Sequence, residues 1–387
     1  MRAYASITVA GFAATAITYG PARMGFGLFL SAFREEFDLG SGTAGLISAL
    51  GFLGFLAALP AGYILAVRIS PRTPVLAGLA AAALGMAVIS AAQGPLTLAA
   101  GAVLALSSAG LSWAPFNTAV HRALNDQRRP GALSVVSTGT TAGIVAGGLA
   151  ALALGLTGAS WRIVWAGFSL SGAAAALAAG WLLSGVDSGP RAAAGAKRRM
   201  VSWRAAPLHF VALAFGAAST IYISFAADGL EQAGGVGDLP ANAAAGLLFA
   251  IYGAAGLAGL ATSRAGRRLG LAVVLRLLFA ACAASFALLA FAPGRLEAVL
   301  VSAALQGAFV MMISAALAFW SERLYPDLPT MSFTAALLSA AAGAVLGPLG
   351  AGYAAQALGY PAVFAGVAVF AGLCALAIPQ RPVSIAV

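Results

Sequence analysis

The sequence predicts an all-α membrane protein, with twelve transmembrane helices in two pseudo-symmetric six-helix bundles and both termini on the cytoplasmic side. Three observations carry this. Of 387 residues, 61% are hydrophobic and only 8% are charged, against about 25% charged in water-soluble chains. The apolar residues fall into stretches of about 20, the length a helix needs to cross roughly 30 Å of hydrocarbon with its backbone paired internally. The basic residues between those stretches collect on one side.

Taken in order, the first stretch, 5–33, is the most polar. Its Thr15, Tyr19 and Arg23 recur every four residues and share one helix face. Pro21 lies among them, where a missing N–H and a clash with the Ile17 carbonyl interrupt the helix. The stretch is too long, too polar and too poor in a cleavage site for a removable signal peptide. The second, 43–66, contains Gly62, and the third, 74–92, is featureless. The fourth, 95–122, carries Trp113, Asn117 and His121 at four-residue spacing around Pro115. The fifth, 131–157, holds Gly139, Gly143, Gly147 and Gly148, and the sixth is 161–183.

The longest polar interruption reads SGPRAAAGAKRRM. It predicts a basic cytoplasmic linker, 184–205, between an N-terminal bundle, 1–183, and a C-terminal bundle, 206–387. The seventh stretch, 206–228, brings Ser219, Tyr222, Ser224 and Asp228. The eighth is 241–262 and the ninth 271–292. The tenth, 296–322, carries Gln306, Met311, Met312, Trp320 and Glu322. The eleventh, 331–357, holds Gly343 and Gly347, and the twelfth is 361–379. Stretches three, six, nine and twelve have nothing to bind with and suit the lipid-facing periphery. Stretches one, four, seven and ten hold most of the polar and aromatic groups at membrane depth.

With the N-terminus inside, sixteen basic residues from Arg2 to Arg381 fall on the cytoplasmic side and only Arg34, Arg162 and Arg295 on the other. The net charge of +10 is therefore a topological signal, accompanied by attraction to anionic membrane lipid. It is not a nucleic-acid signal, which needs basic residues and stacking aromatics on a polar surface. Cys282 and Cys374 lie in apolar runs without metal-ligand spacing, His121 and His209 have no metal frame, and Lys197 has no Walker glycine before it. No metal, cofactor or enzymatic chemistry is expected.

A shift of about two hundred residues superposes the halves: Gly143 and Gly147 fall on Gly343 and Gly347, and Gly62 on Gly259. Two copies of a six-helix unit are the architecture of a transporter with its site at the pseudo-symmetric interface. The run Gly259-Leu-Ala-Thr-Ser263-Arg264-Ala-Gly266-Arg267-Arg268 resembles the loop signature G-x-x-x-D-R-x-G-R-R of the major facilitator superfamily. Ser263 replaces its acid; in the first-half copy Gly62 is kept and Ala66 stands at the acidic position. The resemblance implies that fold, and a cytoplasmic charge lock that this chain lacks at both acidic positions. The fifth-span glycines resemble the family's antiporter motif, with Ile144 for its proline; close helix packing explains the same spacing.

The expected function is secondary active transport of a small organic solute across the cytoplasmic (inner) membrane, as a monomer, coupled to an ion such as a proton. An anionic solute is preferred because Arg23 offers a bidentate clamp for carboxylate or phosphate and no Asp or Glu lies mid-span. Snorkelling of Arg23 to the outer interface, or pairing with Asp228, are its competing roles. Tyr19, Arg23, Trp113, Asn117, Tyr222 and Gln306 are the candidate substrate residues. His121, Asp228 and Glu322 are the candidates for proton or charge coupling. Proton-coupled multidrug efflux is the alternative, motivated by the fifth-span glycines. A receptor or scaffold would need a soluble domain that the sequence does not show.

Overall fold

The computed structural model describes residues 2–125, 127–185, 205–237, 239–325 and 329–378. Its helices are α1 (Arg2–Tyr19), α2 (Pro21–Leu28), α3 (Leu30–Phe37), α4 (Ser41–Arg68), α5 (Arg72–Ser90), α6 (Pro95–Ala123), α7 (Arg129–Thr157) and α8 (Trp161–Leu182) in the first half. The second half holds α9 (Ala206–Gln232), α10 (Ala241–Ala255), α11 (Thr262–Leu269), α12 (Leu271–Phe291), α13 (Leu296–Leu324), α14 (Pro329–Leu358) and α15 (Tyr360–Ala377). Among the described residues there is no strand, only an isolated bridge between Val236 and Leu239. Most of the expected linker, residues 186–204, lies outside the described residues.

Eleven helices among the described residues are long and apolar enough to cross a membrane. Ten of the expected stretches match helices to within four residues at each end. The other two differ for local reasons. The stretch 5–33 is three consecutive helices, because Pro21 cannot continue α1 and Gly20 takes ψ −111° to turn the chain. A second bend at Phe29 separates α2 from α3, and Asp38, with φ 49°, ends α3. The eighth stretch passes at Gly256 into a tight 3₁₀ turn, Gly256–Ala261, and then into α11. The arginine-rich run expected as a loop is thus helical, with Arg264, Arg267 and Arg268 exposed on α11.

The division into centre and periphery holds for α9, α8 and α15 but not for α5 and α12, which are half buried, no less than α6 and α13. The apolar window of α9 is 83% buried, while those of α8 and α15 are only 22% and 33% buried. Leu170, Leu177, Trp181, Leu373 and Leu376 stand outward on those two helices, as lipid-facing helices require.

Glycines build the seams. In the first half, α7 lies against α1 with Gly143 on the Ala16 carbonyl and Gly139 on the Phe12 carbonyl. In the second, α14 lies against α9 with Gly343 on the Leu213 carbonyl and Gly347 near that of Ala217. Each seam carries a matching hydroxyl bond: Thr15 donates to the Val136 carbonyl at 2.6 Å, and Thr220 to that of Ala344 at 3.4 Å. Thr15 therefore faces α7, not the face expected to hold Tyr19 and Arg23. The repeat extends to two arginines. Arg72 donates to the Gly180 carbonyl at the end of α8, and Arg276 to the Ile378 carbonyl just past α15, at 2.6 and 2.7 Å.

Two further seams join the halves. Along α4 and α14, a Cβ at Gly45 would stand 2.5 Å from the Pro348 carbonyl. Along α7 and α10, a Cβ at Gly148 would stand 2.5 Å from the Ala250 nitrogen, and Gly246 fits against Leu152. Gly27 of α2 meets the Ile223 carbonyl of α9. Farther along, Gly62 faces Gly110 and Leu111 of α6, and Gly259 faces Met311 of α13, each within its own half.

Gly147 differs from its neighbours, since a Cβ there meets only a Leu28 methyl at 3.9 Å. Gly143→Ala should therefore destabilise by about 1–3 kcal/mol, the usual cost of overpacking, while Gly147→Ala should be near neutral. Thermal unfolding of the two detergent-solubilised variants checks this, and equal melting temperatures would contradict the seam.

Candidate functional site

The break at Gly20 places Arg23 in the first turn of α2, deep between helices. Its guanidinium carbon lies 4.7 Å from the ring centroid of Phe55 and 5.4 Å from those of Phe52 and Tyr19. Phe52 and Phe55 are three apart on α4 and so share a face. Tyr19 is fixed by donating its hydroxyl to the Ala109 carbonyl at 3.2 Å, and its ring meets Trp113 of α6 edge-on at 6.4 Å.

Among the described residues no carboxylate pairs with Arg23, and its side chain is partly exposed. An arginine at membrane depth costs at least about 2.5–3.5 kcal/mol. Cation–π contacts return about 0.5–2 kcal/mol each, so three rings offset much of that cost. The rings satisfy the charge of the guanidinium but are poor acceptors for its five N–H groups. With no carboxylate on them among the described residues, those donors suit a planar anion.

The opposing half presents a polar cluster between α9, α10, α12 and α13. Tyr222 and Tyr252 stack with centroids 6.0 Å apart. The Tyr222 hydroxyl bonds Ser302 at 3.1 Å, and Ser302 bonds Ser285 at 3.0 Å. Tyr222 is thus satisfied and sealed within its own half. Gln306, one turn beyond Ser302, is fully buried with neither side-chain atom paired, and the Tyr252 hydroxyl is likewise buried and unpaired.

The structure gathers Tyr19, Arg23 and Trp113, and places Tyr222 and Gln306 across the interface. The side chains of Asn117 and His121 lie outside the described residues. Glu322 stands exposed near the end of α13, away from this cluster. Sequence reasoning missed Phe52, Phe55 and Tyr252; the phenylalanines look like ordinary lipid-soluble residues until an arginine is placed over them.

Asp228 does not meet Arg23. It accepts from Arg34 Nη1 at 2.7 Å, from the Tyr360 hydroxyl at 2.5 Å and from Gln232 at 3.1 Å. Arg34 Nη1 also donates to the Ser41 hydroxyl at 3.0 Å, and Ser48 bonds Ser224 at 2.6 Å. These contacts tie α3 and α4 of the first half to α9 and α15 of the second, at one end of the molecule. Beside them Arg162 and the Trp161 indole hold Glu36, fastening α3 to α8. The Arg162 hydrogen bond, with that of Trp161, lowers the Glu36 pKa. This pair therefore survives to lower pH than an unpaired glutamate's charge would, and is lost as pH falls through the lowered value.

A family model described as Major Facilitator Superfamily matches residues 11–292. Among solved structures, a bacterial homologue of the human lysosomal transporter Spinster, in an inward-facing and unoccupied conformation, aligns with a TM-score of 0.71 and 16% identity, covering 99% of this chain and 97% of that one. The nucleoside transporter NupG aligns with a TM-score of 0.71 and 13% identity, covering 98% of both chains. A POT family transporter in complex with 5-aminolevulinic acid aligns at 0.72 and 12%, covering 97% and 95%. No curated protein matches by sequence.

Breaking a buried ion pair from one side costs about 3–5 kcal/mol, and the partial exposure of Arg34 argues for the low end. Asp228→Asn should therefore shift the closed-to-open equilibrium at this end by about two orders of magnitude, at roughly 1.4 kcal/mol per decade. A cysteine at Ser224, labelled by a hydrophilic maleimide in detergent, should react far faster in the Asp228→Asn background. An unchanged labelling rate would show that the network does not hold this end shut.

Proposed function

Because the chain belongs to the major facilitator superfamily, we propose that this membrane transporter carries a small organic anion across the cytoplasmic membrane by alternating access. The observation that carries the proposal is Arg23: a guanidinium at membrane depth, partly exposed, caged by rings and free of any carboxylate among the described residues. Such a group recruits a negative charge from the solute, because none of the described residues supplies one beside it.

In this reading the bodies 1–183 and 206–387, joined by the linker 184–205, rock about the glycine seams between α4 and α14 and between α7 and α10. The bias of basic residues puts the Arg34–Asp228 network on the outer face and the termini in the cytoplasm. The observed conformation is then closed outward. Transport is coupled to an ion, and a proton carried on the solute's own acid group suffices for that. Asp228 serves the closure, leaving His121 and Glu322 as the other proton candidates. The protein acts as a monomer. The glycine spacing that suggested multidrug efflux is used for packing by Gly139 and Gly143 on α1 and by Gly148 on α10, so no separate observation favours that reading.

Uptake by proteoliposomes of short carboxylates and phosphate esters, beside cations and neutral solutes of similar size, tests the proposal. A charge-assisted hydrogen bond is worth about 1.5–3 kcal/mol. Arg23→Gln should therefore lower kcat/KM for anions roughly 10- to 100-fold, and normal transport by that variant would overturn the reading. Phe55→Glu, which supplies the missing acid, should also silence anion uptake by occupying Arg23 from within.

A further inference from the structure

Two buried polar side chains that serve no structural bond lie together on the half facing Arg23. Gln306 is fully buried with Oε1 and Nε2 both unpaired, and Tyr252 is 1% exposed with its hydroxyl unpaired. Their helices touch where Gly307 packs on the Tyr252 carbonyl, and the Cys282 thiol lies near both side chains. The thiol beside Gln306, Cys282, is a weak partner at best. Nearly every buried polar group in a folded protein finds a partner, and the adjacent Tyr222, Ser285 and Ser302 satisfy one another. An amide and a hydroxyl left over at one place mark a site whose partner comes from outside the chain.

Their position relates them to Arg23. Helix α2, which carries Arg23, packs against α10, which carries Tyr252, and the guanidinium and the hydroxyl lie within electrostatic reach of each other. Tyr252 is also held in place, by its stack on Tyr222 and by Phe249 at 6.1 Å. One half thus offers fixed N–H donors for an anion, and the other offers a hydroxyl and an amide, which together donate and accept.

We propose that Tyr252 and Gln306 form a second pole of the substrate site, and that the solute is an organic anion bearing a hydroxyl or carboxamide at the end remote from its acid group. This rests on the anion reading above and adds to it the group that the second half recognises. The acid binds Arg23 of the first half, and the hydroxyl or carboxamide pairs with Tyr252 and Gln306 of the second. The solute then bridges the two bodies that move. Both side chains are closed over in the observed conformation, so the pole completes as the halves repack around a solute.

The test compares paired probes with the full-length protein in proteoliposomes: butyrate with 4-hydroxybutyrate, phenylacetate with 4-hydroxyphenylacetate, and succinate with succinamate. The wild type should favour the hydroxylated or amidated member of at least one pair by 10-fold or more. In Tyr252→Phe and Gln306→Leu that ratio should fall toward one. Without solute, both variants should melt no lower than the wild type, since each removes an unpaired group. A structural role would instead lower the melting temperature and leave the ratio intact. A wild-type preference that survives both substitutions overturns the second pole while the anion reading stands. Anion uptake that survives Arg23→Gln overturns the anion reading itself. Failure of the wild type to discriminate within any pair counts against the second pole alone, and failure to move any of these anions counts against both.

Discussion

Close approach of one helix backbone to another is the constraint on which this structure rests. In hydrocarbon, apolar side chains gain nothing by leaving lipid for one another, so helices associate where small residues let their backbones touch. Glycines such as Gly45, Gly143, Gly148 and Gly343 supply that contact, and the seams they form differ in kind. Those between α1 and α7, and between α9 and α14, tie helices within a half, and a hydroxyl bond crosses each. Those between α4 and α14, and between α7 and α10, join the halves. At the Arg34 end they run beside a polar network, whereas Gly62 and Gly259 at the other end of their helices serve their own halves.

The charge at the centre depends on this frame. The chain breaks at Gly20 where Gly143 comes against α1, and the break turns Arg23 toward Phe52 and Phe55. A carboxylate in place of those rings would stabilise the arginine better and use up its donors. Aromatic faces make the buried cation tolerable while leaving it an electrostatic demand unmet.

Most of the fold could be read from the residues, because the signals were long and apolar: helix ends fell within a few residues, and the central position of α9 followed from its Ser, Tyr and Asp content. The interruption of the first span was also legible, since Pro21 has only one local consequence. The extent of that interruption was not, because the bend at Phe29 has no proline or glycine at its centre. Arg23 and Tyr19 were legible because polarity inside an apolar run is conspicuous. Phe52 and Phe55 were invisible for the opposite reason: one more apolar residue in a span carries no information until its neighbour is known. Asp228 stood out as a charged candidate, but its partners Arg34 and Tyr360 lie 194 and 132 residues away, beyond any local pattern. Tyr252 escaped because its significance is a missing bond, which only packing reveals.

Among the described residues the halves are fastened unevenly. One end has a charged network; toward the other, Ala66 and Ser263 stand at the positions where the family's loop signature has its acid. A carrier biased in this way at rest cannot hold a steeper gradient, since a catalyst leaves the equilibrium where it was. The bias instead divides the apparent affinities. In the proposed alternating-access cycle, a solute arriving at the face opposite the network meets the binding-competent form directly, whereas one arriving at the fastened face meets a form present only as a small fraction and binds more weakly by that fraction. On that proposal the network at Arg34 gives the molecule a polarity of saturation, in which one compartment fills the carrier at low concentration and the other only at high concentration.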